Sequence, residues 1–218
     1  MTMTHKINHH PTDALLMAYS AGTLPEAFSL VIATHISMCD ESRAKVESYD
    51  AIGGAMLDDA PEVAMTAGAL EATLRLIDAP EDTHILANVD PDDLFPAPLR
   101  DYVGGGLDSV NWRNVGGGVQ QAILPTSKEA SVRLLRIPGG CAVPDHGHHG
   151  TELTLVLQGA YRDDHDRFGP GDIEVATEDT THTPVAEEGP DCICLAATDA
   201  RLKFSGLIPR LAQPFFRI

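Results

Sequence analysis

The sequence predicts an α-plus-β chain, in which a small N-terminal helical bundle is followed by an all-β sandwich or barrel. Three observations predict it. Between residues 13 and 78 apolar residues recur at helical spacing. Residues 79–98 interrupt that pattern with Pro80, Pro91, Pro96 and Pro98 set among acids and small residues. From about residue 100 short apolar or alternating runs recur between Gly and Pro-Gly turns. With 218 residues, 43% hydrophobic and 22% charged, the chain can bury a core, which excludes wholesale disorder.

The elements follow in order. Asp13 precedes an apolar run closed by Gly22, which suits an N-cap and a helix stop. Pro25 fits the first turn of a second helix over 26–39, with Phe28, Val31, Ile32 and His35 at helical spacing. A third helix is expected over 40–56 despite Gly53-Gly54, and a fourth from Leu70, Leu74 and Ile77 on one face. Few aromatics and several short helices make a poor independent core, so this module would gain from a metal or a partner. The proline-rich stretch 80–98 is the linker, dividing a helical domain (1–79) from a β domain (99–218). Strands are expected at 120–124, 131–137, 152–157, 173–176, 192–198 and 202–207.

Charge narrows the partners. Residues 1–98 hold 16 acids and 4 bases, while residues 99–218 hold 16 acids and 11 bases, within a net charge of −17. Direct nucleic-acid binding is disfavoured, because phosphate contacts need clustered Lys and Arg. An acidic module either serves solubility or attracts a basic protein, including one that itself binds DNA. No run of eighteen apolar residues occurs, so no membrane partner is expected. The polar, His- and Thr-rich N-terminus lacks the basic-then-apolar order of a signal peptide, which places the protein in the cytoplasm. There, Cys39, Cys141, Cys192 and Cys194 read as thiols or metal ligands rather than a disulfide framework.

The richest motif lies between Gly140 and Gly159. His146 and His148 are two apart, so on a strand they share a face. Glu152 opens the next strand, and a hairpin can return its carboxylate to those imidazoles. After the turn at Gly169-Pro170-Gly171-Asp172, His182 follows ten residues beyond, far enough to return to the same pocket. Three imidazoles and a carboxylate form a ligand set for Zn, Fe, Mn, Ni or Cu. His149 is expected to face solvent and His165 to lie in a loop. The stretch from Gly140 to Gly159 resembles the first motif of the cupin family at every position: Gly, five residues, His-x-His, Glu and a closing Gly. The second motif is looser, with Pro170, Gly171 and His182 present but no Asn after that His. The resemblance implies a double-stranded β-helix, or jelly-roll, over about 100–205.

In the helical module His35 and Cys39 are four apart, within about 6 Å on one helix face. Both residue types ligate zinc, Ser42 stands three further on, and His9-His10 could add an imidazole. On spacing alone the signal is weak, and a packed helix face is the better reading. A short helical module carrying His-x-x-x-Cys-x-x-(Cys/Ser) ahead of a cupin resembles the ChrR-type zinc-dependent anti-sigma factors. The likeness runs nearly end to end. It includes His10-Pro-Thr-Asp13, residues 34–42, Asp145-His146-Gly-His148, Asp191-Cys-Ile-Cys194 and the terminal Gln213–Ile218 stretch. It implies a helical domain that binds and occludes an extracytoplasmic-function-type sigma factor, one to one. It also implies zinc held there by His10, His35 and Cys39, with His146, His148, Glu152 and His182 as the cupin site. The fourth helical position is Ser42 rather than Cys. A hydroxyl is a poor zinc donor beside a thiolate, so the site keeps three protein ligands plus water, is weakened, or has lost a cysteine by engineering.

The family resemblance further implies that the cupin senses singlet-oxygen-type stress and releases the sigma factor. Metal ligands, Cys141, Cys192 and Cys194 are candidate oxidation targets, although the spacing of Cys192 and Cys194 on one strand face suits buried packing equally well. The protein is then a regulator and not an enzyme. The rival reading is a metal-dependent cupin dioxygenase or isomerase using Fe, Mn or Ni at His146, His148, Glu152 and His182. A third is a small-molecule-binding cupin with neither activity.

Overall fold

The computed structural model describes residues 6–79 and 93–200, together with the backbone of Lys203 and Phe204. Among these residues five helices come first: α1 (Asp13–Ser20), α2 (Glu26–Met38), α3 (Asp40–Asp58), α4 (Ala69–Ile77) and α5 (Ala97–Val103). A 3-10 turn (Leu107–Ser109) leads into the strands β1 (Arg113–Gly116), β2 (Val119–Leu124), β3 (Ser131–Ile137), β4 (His146–Gly147), β5 (Glu152–Gln158) and β6 (Tyr161–Arg162). The remainder are β7 (Arg167–Phe168), β8 (Ile173–Ala176), β9 (Thr181–His182), β10 (Val185–Ala186), β11 (Cys192–Thr198) and β12 (Lys203–Phe204). No helix among the described residues is long and apolar enough to cross a membrane.

Local chemistry sets the helix ends. Thr12, not Asp13, caps α1: its Oγ1 accepts from the N–H of Leu15, and Asp13 adds negative charge in the first turn. Pro25 sits one place before α2, where its missing N–H costs nothing. The expected linker lies partly outside the described residues, at 80–92. Its last part is structured: Phe95 is buried, and Pro96 and Pro98 open α5 instead of preventing a helix. A preset φ and a donor that is surplus in the first turn explain why proline reads as a breaker in sequence and starts a helix here. The strand expected at 202–207 is described only as β12, which pairs with β4; the rest of it, and residues 213–218, lie outside the described residues.

Six strands form the main sheet in the order β1-β2-β3-β11-β5-β8, antiparallel throughout. Two three-stranded sheets, β10-β6-β7 and β12-β4-β9, complete the β domain. Strands alternate sides every residue, and both sides of the main sheet are covered. Leu153, Leu155 and Leu157 of β5 and Ile193, Leu195 and Ala197 of β11 point to one side, into a core shared with the helices. Val156, Cys192 and Cys194 point to the other, into a second core with Tyr161 and Phe168. This double burial explains why β11 reads as an unbroken apolar run, Cys-Ile-Cys-Leu-Ala-Ala.

The helices therefore lack a core of their own. Phe28, Leu30, Val31 and Ile32 of α2 are all buried, in one cluster with Leu134, Leu155 and Leu195 of the sheet. A helix apolar all round must be covered all round, and α2 lies between the sheet and the other helices. At the far end of the module the pattern reverses. Ile52, Met56 and Leu57 of α3, and Leu70, Leu74, Leu76 and Ile77 of α4, are exposed.

Candidate metal centres

The first cluster forms where three segments meet. Cys39 is the corner between two helices: it ends α2 and caps α3 in an extended conformation, its Sγ accepting from the N–H of Ser42 at 3.5 Å. The helix expected to carry both His35 and Cys39 thus stops one residue short of Cys39, and the turn still brings the two together. The N-terminal segment supplies His10. Its Nδ1 lies 3.4 Å from Cys39 Sγ and 3.2 Å from Ser42 Oγ, while His35 Nε2 lies 2.9 Å from Ser42 Oγ. The ligand atoms of His10, His35 and Cys39 all lie within 4.8 Å of one another. Zn–N and Zn–S bonds of about 2.0–2.3 Å place tetrahedral ligands about 3.3–3.7 Å apart, so these spacings suit a metal ion with little rearrangement. Ser42 Oγ, buried, stands between the two imidazoles.

Burial keeps His35 ready to ligate. It pushes the His35 pKa down to about 4, reinforced by neighbouring His10 and opposed by a hydrogen bond to the Gly171 carbonyl. A carbonyl only accepts, so Nδ1 carries the proton and Nε2 presents its lone pair to the cluster. The unfolded chain takes up this proton near pH 6.5, before the folded one does. The metal-free protein should therefore keep this contribution above about pH 6.5 and lose on the order of 3 kcal/mol of it as the pH falls to about 4. Urea unfolding of the metal-free chain at pH 7 and pH 4.5 checks this, and His35→Gln should flatten the difference.

The second cluster lies between β4 and β9, where His146 and His182 stand opposite each other in register, with His148 just beyond β4. His182 Nε2 is 3.2 Å from His146 Nε2 and 3.4 Å from His148 Nε2. All three residues are buried. Oxygen atoms hold the outer nitrogens: His146 Nδ1 donates to the Pro144 carbonyl at 2.9 Å, and His182 Nδ1 lies 3.0 Å from Glu174 and 3.2 Å from Asp163. Rings anchored through Nδ1 aim Nε2 inward, the arrangement that outer-sphere carboxylates and carbonyls give to metal-binding histidines. The donor set fits a divalent transition metal.

Glu152 borders this triad without joining the converging atoms. Its Oε2 is 4.0 Å from His148 Nδ1, and its Oε1 accepts from Thr154. Burial, with the charge of Glu174 adding to it, pushes the Glu152 carboxyl up to about 7. A bound cation would reverse that and favour the carboxylate. Burial lowers His146, whereas for His182 the carboxylates of Glu174 and Asp163 outweigh burial and raise it.

Sequence reasoning missed four neighbours. Asp163 and Glu174 hold His182, and Tyr161 donates to Glu174. A glutamate between Ile173 and Val175 on a strand buried on both sides was the available signal. Asp172, read only as part of a turn, is fully buried and accepts from three backbone N–H groups. His9 packs at a tilt against Phe168 and bonds Asp166, away from the cluster that His10 joins. His149 is exposed and His165 lies in the β6–β7 turn. Cys192 and Cys194 share a strand face with their sulfurs 3.5 Å apart. The hydrogen bond with Cys192 and burial push the Cys194 thiol well up, so it stays protonated.

Comparison with known proteins places these clusters in context. Residues 103–201 match the family described as the ChrR cupin-like domain. The chain is 59% identical over 213 residues to the anti-sigma-E factor ChrR of Cereibacter sphaeroides, covering 97% of this chain and 99% of that protein. It also superposes on ChrR in the crystal structure of Rhodobacter sphaeroides SigE in complex with the anti-sigma ChrR. There the TM-score is 0.79 at 59% identity, with 89% of this chain and all of that chain covered.

Proposed function

The chain belongs to the ChrR family of anti-sigma factors, and from that premise we propose that it binds an extracytoplasmic-function-type sigma factor one to one and occludes it. Residues 1–79 are the gripping unit and residues 99–218 the sensor. The observation that carries the reading is the exposed apolar surface at the end of α3 and along α4. Leu70, Leu74 and Ile77 fall at helical spacing on α4 and are 63%, 49% and 70% exposed, and α4 has no buried residue at all. The first 98 residues hold 16 acids against 4 bases, the complement of the basic surfaces a sigma factor offers to polymerase and promoter DNA. Apolar packing would supply affinity, and charge would supply on-rate and partner choice.

Zinc at His10, His35 and Cys39 would organise the helices, since binding free energy at such a site is also folding free energy. The second ion, at His146, His148 and His182 with Glu152 as fourth ligand, would serve the sensor. Its buried nitrogen-rich set supports zinc, with Fe, Mn or Ni as alternatives. Singlet-oxygen-type stress would act there, at the imidazoles, and at the half-buried Cys141, the β-domain thiol most open to reagents. A role as regulator displaces the reading of the barrel as a dioxygenase or isomerase.

The apolar face is tested by Leu70→Asp combined with Leu74→Asp. Both side chains are exposed, so the melting temperature should stay within about a degree or two. Affinity for the sigma factor should fall at least a hundredfold, about 3 kcal/mol, as expected for losing two apolar anchors. Unchanged affinity by titration calorimetry would remove α4 from the interface.

A further inference from the structure

We propose that the turn entering β8 completes the helical metal cluster from the β domain, with Gly171 and Asp172 acting as positioning residues for His35 and His10. The proposal rests on the reading of His10, His35 and Cys39 as metal ligands. Two of those three ligands are oriented by this turn, and none of the turn's residues belongs to the helical module.

The first link is to His35. The Gly171 carbonyl accepts from His35 Nδ1 at 2.9 Å across 136 residues of sequence, which fixes the tautomer and leaves Nε2 as the ligand atom. The second link is to His10. Asp172 is 0% exposed, and its Oδ1 accepts from the N–H groups of Asn8 at 2.6 Å and His9 at 2.9 Å. Its Oδ2 accepts from the N–H of Gly169 at 2.8 Å, holding the turn itself. The N–H of Ile173 donates back to the His9 carbonyl at 3.2 Å. Residues 8 and 9 are thereby moored on the barrel, and His10 is the next residue. The N-terminal segment also closes over the turn: Gly171 has φ +87°, and a Cβ there would meet Ile7 at 2.5 Å, so the approach needs glycine. A carboxylate accepting three backbone N–H groups is a rigid anchor, and outer-sphere partners of this kind change metal affinity about 10- to 100-fold.

Cobalt(II) is the probe, because a thiolate-to-cobalt charge-transfer band in the near ultraviolet arises only at a site with a Cys ligand. In the full chain that band reports Cys39, while the His-rich barrel cluster contributes none. Titration of the metal-free wild type should develop the band. Asp172→Ala should need at least tenfold more free cobalt to reach half saturation. Asp172→Asn keeps the volume but offers one acceptor oxygen where two are used, and should shift the midpoint at least threefold, which covers the case in which the alanine variant does not fold. Cobalt bound at the barrel cluster, read from its d–d absorption in a Cys39→Ala background that removes the thiolate site, should be unchanged by the Asp172 substitutions, which separates positioning from a general loss of structure. Midpoints within twofold of wild type in a folded variant would overturn the proposal, as would parallel loss of metal from both clusters. A wild type that never develops the band would instead remove the metal-site reading on which the proposal stands.

Discussion

Replacing Ser42 with cysteine should raise the zinc affinity of the helical cluster about a hundredfold. The Ser42 side chain is buried, 2.9 Å from His35 Nε2 and 3.2 Å from His10 Nδ1, so it already stands between the two imidazoles. What it lacks is a good donor atom. Structural zinc sites with four protein ligands bind with about 10–16 kcal/mol, on the order of 3 kcal/mol per ligand, and a thiolate is among the stronger contributors. Sulfur adds little volume over oxygen. Competition against a chromophoric chelator reads the change directly. Tighter zinc should also stabilise the helices and so tighten the grip on the sigma factor. Equal zinc affinity in Ser42→Cys and wild type would mean that residue 42 does not face the ion.

The second large effect is a contrast between two histidines. His35→Ala removes a proposed ligand from the helical cluster and leaves the buried Gly171 carbonyl without its donor, a combined loss of several kcal/mol in the module that carries the proposed interface. Affinity for the sigma factor should fall more than tenfold. His146→Ala removes a proposed ligand from the barrel cluster, where its ring is held by the Pro144 carbonyl and lies against His182. Affinity should stay within about twofold, while release in response to stress, read with a promoter reporter, should be impaired. Equal effects of the two substitutions on binding would argue against dividing grip from sensing.

Much of this was legible in the sequence, and particular residues show why the remainder was not. The spacing of His146, His148 and His182 carried the barrel cluster, because strand alternation and a Pro-Gly turn are local rules that hold wherever they occur. The nearness of His35 and Cys39 was likewise local, even though a helix corner and not a helix face produces it. By contrast, the buried state of Phe28, Leu30, Val31 and Ile32 depends on a sheet more than a hundred residues away, and no periodicity within α2 distinguishes that sheet from a partner protein. Asp172, Asp163 and Glu174 were overlooked for the same reason. Their roles are set by what folds back onto them, and an Asp after a Pro-Gly turn reads as turn chemistry until the N-terminal segment is seen lying across it. Pro96 and Pro98 misled in the other direction, since the property that ends a helix also begins one.

The proposed function depends most on the helical module gripping a transcription initiator. Titrating a purified extracytoplasmic-function-type sigma factor into the zinc-loaded full chain tests this most directly. Saturation at one sigma factor per chain, with nanomolar affinity that weakens as salt rises, is the expected result. No measurable binding, together with turnover of a small organic compound at an iron-loaded barrel, would contradict it.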